Sequence, residues 1–96
     1  MSVRVLAKIV ALPGKEEAMK TLLLQVLEAS RQEADCIRYE LLQHSAIPTE
    51  FMTVEEWNSA EAVGTHMDSP HVQEAFREGA ELLAAPPEIH QYTLVK

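Results

Sequence analysis

The chain has 96 residues, 47% of them hydrophobic, with a formal net charge of −7 and only 8 Lys and Arg scattered along it. That composition excludes a disordered chain, and the lack of a clustered basic surface argues against nucleic acid or an anionic membrane as a partner. The length fits a single domain over residues 1–96 whose thin core, burying roughly 60–70% of the unfolded surface, would gain from pairing with a second copy.

Residues 2–12 alternate with period two: Val3, Val5, Ala7, Ile9 and Ala11 share one face, and Arg4, Leu6, Lys8, Val10 and Leu12 share the other. This is a strand, and Leu6, Val10 and Leu12 make its second face too apolar to stand fully in water, so cover on both sides is expected. Pro13-Gly14 ends it. Residues 15–33 read as an amphipathic helix with Met19, Leu22, Leu23, Val26 and Ser30 inward and Glu17, Lys20, Thr21, Glu28 and Arg31 outward. Residues 36–43 form a second strand with Ile37, Tyr39 and Leu41 on one face, and residues 51–57 a third with Phe51, Thr53, Glu55 and Trp57 on one face. A loop through Ser45, Pro48 and Thr49 joins them as a hairpin.

Ser59 is an N-cap for a short helix over residues 60–67, and Asp68-Ser69-Pro70 stops it. Pro70 opens a further helix to about residue 84, with Val72, Ala75, Phe76, Gly79 and Leu83 as its buried stripe. Pro86-Pro87 breaks that helix before a last strand over residues 89–95. The order β-α-β-β-α-α-β predicts an α+β, ferredoxin-like split βαβ fold, with four antiparallel strands and helices on one face. The other face would then be covered by a twin subunit, since burying one Leu or Val gains roughly 1.5–3 kcal/mol. The start of the chain lacks the features of a secretory signal, no apolar run nears the roughly 20 residues of a membrane span, and Cys36 has no partner for a disulfide, so the cytoplasm is the expected location.

No phosphate-cradling glycine loop, paired-cysteine motif or His-Glu-x-x-His is present, and no metal or other cofactor is expected. His66 and His71 flank the helix break, and either could serve as a general base, because histidine titrates near neutral pH. Their spacing of five across a break is not that of a metal pair on one helical face. The plainer roles are His66 capping its helix and His71 facing solvent. Glu55 and Trp57 share a strand face, where a carboxylate is costly to bury unless paired; Arg4, Arg38 or a partner chain's arginine are the alternatives to a functional network. Trp57 also serves well as plain core, and Cys36 as a small buried residue and not a nucleophile. Tyr39 and Tyr92 could hold ligand hydroxyls, and Met19, Met52 and Met67 fill the core.

Four stretches in order, Ala11-Leu12-Pro13-Gly14-Lys15, residues 33–39 (EADCIRY), residues 51–59 (FMTVEEWNS) and residues 66–71 (HMDSPH), resemble the antibiotic biosynthesis monooxygenase domain over nearly the whole chain. The resemblance implies a dimeric α+β barrel, two ferredoxin-like sheets face to face, with a pocket in each monomer between sheet and helices. It also implies a range of activities: cofactor-independent oxygenation of aromatic polyketides, quinol oxidation, heme degradation, and processing of a phosphorylated signalling sugar. Asp35 stands where family members often carry glycine before the cysteine. The asparagine of the heme-degrading branch is missing from the first strand, and Phe76 stands near its histidine position, so heme degradation is set aside. The expected activity is a cofactor-free oxygenation of a small phenol or hydroquinone, with His66 as base, Glu55 orienting it or holding a substrate hydroxyl, and Trp57, Tyr39 and His71 binding the substrate. The alternatives are an isomerase of a phosphorylated sugar, which would run without oxygen, and a non-catalytic small-ligand-binding dimer.

Overall fold

A computed structural model describes residues 2–96. Strand β1 (Val3–Val10) leads into helix α1 (Glu16–Ser30), the hairpin β2 (Cys36–Gln43) and β3 (Glu50–Trp57), helices α2 (Ala60–Met67) and α3 (Pro70–Gly79), and strand β4 (Glu88–Tyr92). The sheet is antiparallel throughout, in the order β2-β3-β1-β4. This is the α+β, ferredoxin-like arrangement expected from the sequence.

The punctuation follows the residues. Lys15 N–H donates to Leu12 O across Pro13-Gly14, and Gly14 sits at φ 85°, which its missing side chain allows. Ser59 caps α2, its Oγ accepting from Ala62 N–H at 3.1 Å. Pro70 opens α3, where the absent N–H costs nothing.

One face of the sheet is sealed by the helices. Val5, Ala7, Ile9, Tyr39, Phe51, Thr53, Glu55 and Trp57 are all buried there, against Met19, Leu22, Val26 and Leu27 of α1, Ala62 of α2 and Val72 of α3. Sealing one such aliphatic side chain from water stabilises by roughly 1.5–3 kcal/mol. On the opposite face, Leu6, Val10, Met52 and Val54 are half-buried and Leu42 is exposed, among the ion pairs Arg4–Glu56 (3.6 Å) and Lys8–Glu50 (3.9 Å).

The structure corrects five details. Helix α1 ends at Ser30, three residues early, and Glu33 lies in the turn after it. A β-bulge between Cys36 and Arg38 adds one residue to β2, so Ile37 is exposed while Tyr39 points inward. Helix α3 ends at Gly79 and tightens to a 3₁₀ turn, Ala80–Leu82, because the chain there is drawn onto the end of β1: Leu12 N–H donates to Leu82 O and Ala84 N–H to Val10 O. Phe76, one position off the Val72–Ala75–Gly79 line, is 39% exposed. The last strand runs only to Tyr92.

Candidate active site

A cavity of about 100 Å³ lies between the inner sheet face and the helices. Its wall is mostly aliphatic, with Val5, Ala7 and Ile9 from β1, Leu22 and Val26 from α1, and Val72 and Ala75 from α3. Four polar side chains enter it: Tyr39, Thr53, Glu55 and His66. Met67 and Phe76 complete its wall.

Glu55 is buried, and its cost is met within its own strand. Oε2 accepts from Thr53 Oγ1 at 2.7 Å, and Oε1 accepts from Trp57 Nε1 at 2.9 Å. These residues sit two apart on β3, so period-two alternation places all three on the inner face. No arginine reaches Glu55: Arg4 pairs with Glu56 instead. The basic side chain beside it is His66, whose Nε2 is 3.9 Å from Glu55 Oε1. That gap is too long for a hydrogen bond.

His66 is buried at the end of α2, not capping it. Its ring lies 4.4 Å from that of Trp57, tilted by 37°, and 5.9 Å from that of Tyr39. Its Nδ1 is 2.7 Å from Glu33 Oε2, and the same oxygen is 2.9 Å from Nε2 of His71. A carboxylate oxygen only accepts, so these bonds assign the ring protons to Nδ1 of His66 and Nε2 of His71. In the neutral ring, Nε2 of His66 keeps its lone pair, and it is the nitrogen on the side of Glu55 and the cavity. Ser69 Oγ fixes the corner between the two helices by donating to His66 O at 2.6 Å, and it lies 3.2 Å from His71 Nε2.

Of the residues singled out in the sequence, the structure thus brings His66, Glu55 and Tyr39 to the cavity. Trp57, expected in the wall, is fully buried and outside it; its ring carries the His66 imidazole and its N–H holds Glu55. His71 is outside the wall, its side chain is 27% exposed, and its Nε2 lies 2.9 Å from Glu33 Oε2. Glu33 is the participant that reasoning from the sequence missed. It was counted within a helix, although it opens one of the four recognised stretches, and the early end of α1 swings it across to α2 and α3. Asp35 has its own task, accepting from both the N–H and the Nδ2 of Asn58 at the end of β3.

Burial, and then the charge of Glu55, hold the Tyr39 phenol above the ordinary tyrosine range. Burial, with Glu33 and Glu55, likewise raises the Cys36 thiol, which fits its reading as an inert side chain.

The model of the family described as antibiotic biosynthesis monooxygenase matches residues 2–78, which include every residue of this network. The chain belongs to that family. Solved structures share its fold over nearly the whole chain. A Pseudomonas aeruginosa protein is 30% identical, with a TM-score of 0.89 over 98% of this chain and 95% of its own. A conserved protein from Methanosarcina mazei Go1 is 29% identical, with a TM-score of 0.89 over 96% of this chain and 91% of its own. A Mycobacterium tuberculosis protein is 25% identical, with a TM-score of 0.93 over 100% and 97%. No curated protein matches the chain. No helix among the described residues is long and apolar enough to cross a membrane.

Proposed function

We propose that the protein is a cofactor-independent monooxygenase of a small phenol or hydroquinone, with His66 as its base. The observation that carries this is the Glu33–His66–Glu55 line: one carboxylate holds Nδ1, and the free Nε2 looks across a 3.9 Å gap to a second carboxylate at the cavity. A substrate hydroxyl entering from the cavity donates its single proton to Nε2. Proton transfer leaves an imidazolium between two carboxylates, an arrangement that stabilises the charge as it forms. The family, named for monooxygenases, supplies the reaction class.

The aliphatic wall then favours the next step by excluding water from a phenolate. The phenolate passes one electron to dioxygen, and the resulting radical pair joins as a carbon–oxygen bond. The proton on His66 returns to the peroxide. The O–O bond and the C–H bond at the same carbon then break, and water leaves. For a hydroquinone, the sum is hydroquinone plus O2 giving hydroxyquinone plus water. The substrate supplies all four electrons, which is why the chain needs to provide only a base, a dry cavity and a few donors. No Lys or Arg lines the cavity among the described residues, which disfavours the phosphorylated-sugar alternative.

We also infer a homodimer through the outer sheet face, where Leu6, Val10, Met52 and Val54 have no cover within the chain. The flanking ion pairs Arg4–Glu56 and Lys8–Glu50 would form its polar rim.

Oxygen uptake with menadiol-type hydroquinones and polycyclic phenols tests the activity. The expected result is uptake that falls at least about 100-fold in His66→Ala, the lower end of what a general base contributes. No uptake across that panel, or a rate unchanged in His66→Ala, overturns the reading.

A further inference from the structure

We propose that Glu33, His66 and His71 form a binding site for a divalent cation of the zinc class, placed to switch off the base. Three elements contribute: the turn after α1, the end of α2 and the first turn of α3. One oxygen of Glu33, Nδ1 of His66 and Nε2 of His71 lie within 4.8 Å of one another. The Glu33 oxygen is 2.7 Å from the first nitrogen and 2.9 Å from the second. Around a tetrahedral zinc with bonds of about 2.0–2.1 Å, donor atoms sit roughly 3.3 Å apart. The two contacts to Glu33 therefore open by about half an ångström, while the two ring nitrogens come to the same spacing by rotation of their side chains.

The donor set selects the ion. Two imidazoles and one carboxylate suit zinc and its neighbours; calcium and magnesium prefer all-oxygen shells. The surroundings provide the remaining requirements. The His71 side chain is 27% exposed, which gives the ion a path from solvent, while that of His66 is 5% exposed and fixes one ligand in place. Ser69 Oγ, 3.2 Å from His71 Nε2, or a water completes the shell. The net charge of −7 raises the local concentration of cations.

Position decides what the ion does. Glu33 and His71 are not part of the cavity wall, so the ion sits on the far side of His66 from the substrate. It does not meet the reacting atoms. Metal on Nδ1 leaves the single ring proton of neutral imidazole on Nε2, and the lone pair facing Glu55 is gone. Zinc is therefore a brake in this protein. That consequence rests on His66 being the base; the site itself does not.

Titration of the purified protein with Co²⁺, followed by its visible ligand-field absorption and by competition with Zn²⁺, tests the site without any turnover. The expected result is one ion per chain with the intense bands of low coordination. Affinity should fall by at least about 100-fold in His71→Ala and in Glu33→Gln, beyond the usual loss from an outer-shell partner. It should be unchanged in Cys36→Ser and His90→Ala, the two other soft or imidazole donors most easily mistaken for the site. Absence of saturable binding in the wild type overturns the proposal, as does binding that survives both ligand variants or disappears with Cys36→Ser. Circular dichroism of both ligand variants verifies that each is folded, and either folded variant decides the matter. If the wild type consumes oxygen, saturating Zn²⁺ should suppress uptake by at least tenfold; undiminished uptake with zinc bound refutes the brake and leaves the site standing.

Discussion

The two faces of the sheet are made by the same strands, in the same register, yet they solve opposite problems. The inner face of β1 and β3 is largely buried beneath the helices and carries a carboxylate and a threonine; the outer face alternates Leu6, Val10, Met52 and Val54 with the charged Arg4, Lys8, Glu50 and Glu56, with no helix over it among the described residues. The inner polar groups survive burial because Thr53, Glu55 and Trp57 satisfy one another along a single strand. The outer apolar groups have no such internal solution, and only another surface removes them from water. The proposed site lies on the inner face, and the proposed dimer contact on the outer one.

The largest expected effect comes from removing the residue on which the inner face depends. Trp57→Ala should cost about 3–5 kcal/mol in urea denaturation, because it leaves a cavity and takes a donor from buried Glu55. A cost under about 1 kcal/mol would show that the inner network is not what makes that face tolerable. Next is the outer face. Val54→Lys puts a charge at its centre and should convert dimer to monomer in sedimentation velocity with the far-ultraviolet spectrum retained, since an unpaired charge costs several kcal/mol to bury. A dimer that persists would remove the proposed role of that face.

A subtler distinction appears at alkaline pH. Tyr39, on the inner face, has its ionisation held by burial above the ordinary tyrosine value of about 10, whereas Tyr92 on β4 is 48% exposed. The folded state keeps the Tyr39 proton longer than the unfolded state does. Its contribution to stability is therefore complete below about pH 10 and is lost as pH climbs toward the raised folded value. Ultraviolet titration of tyrosinate should show Tyr39 ionising only with unfolding. Tyr39 titrating in the folded protein at the ordinary tyrosine value would mean that the inner face is wetter than it looks. The smallest effect is at Gly79, where a methyl group would meet Leu22 Cδ2 at 3.1 Å across the α1–α3 contact. Gly79→Ala gains helix propensity of about 0.5–1 kcal/mol and loses a similar amount to that contact, so thermal unfolding should move little. A large destabilisation would show that the helical lid over the inner face is packed too tightly to yield.

Much of this was legible in residue order. Alternation of Phe51, Thr53, Glu55 and Trp57 put them on one face, Ser59 and Pro70 marked two helix starts, and Gly14 marked a turn. Ile37 was misplaced because a bulge adds a residue that hydrophobic alternation does not register. Leu83 was misplaced because hydrogen bonds to the end of β1 draw the chain out of the helix. Both are tertiary effects acting on a locally plausible pattern.

The sequence by itself determined the elements, their order and which residues of β3 face the core, because those depend on local periodicity and on punctuation by proline, glycine and cap residues. It also singled out His66 and Glu55 as chemically unusual. Only the tertiary structure decided that Glu33, 33 residues before His66 and 38 before His71, joins both histidines through one oxygen. Hydrogen bonds between distant residues depend on how far each helix runs and where each turn points, and a few residues of helix length are enough to make or break them.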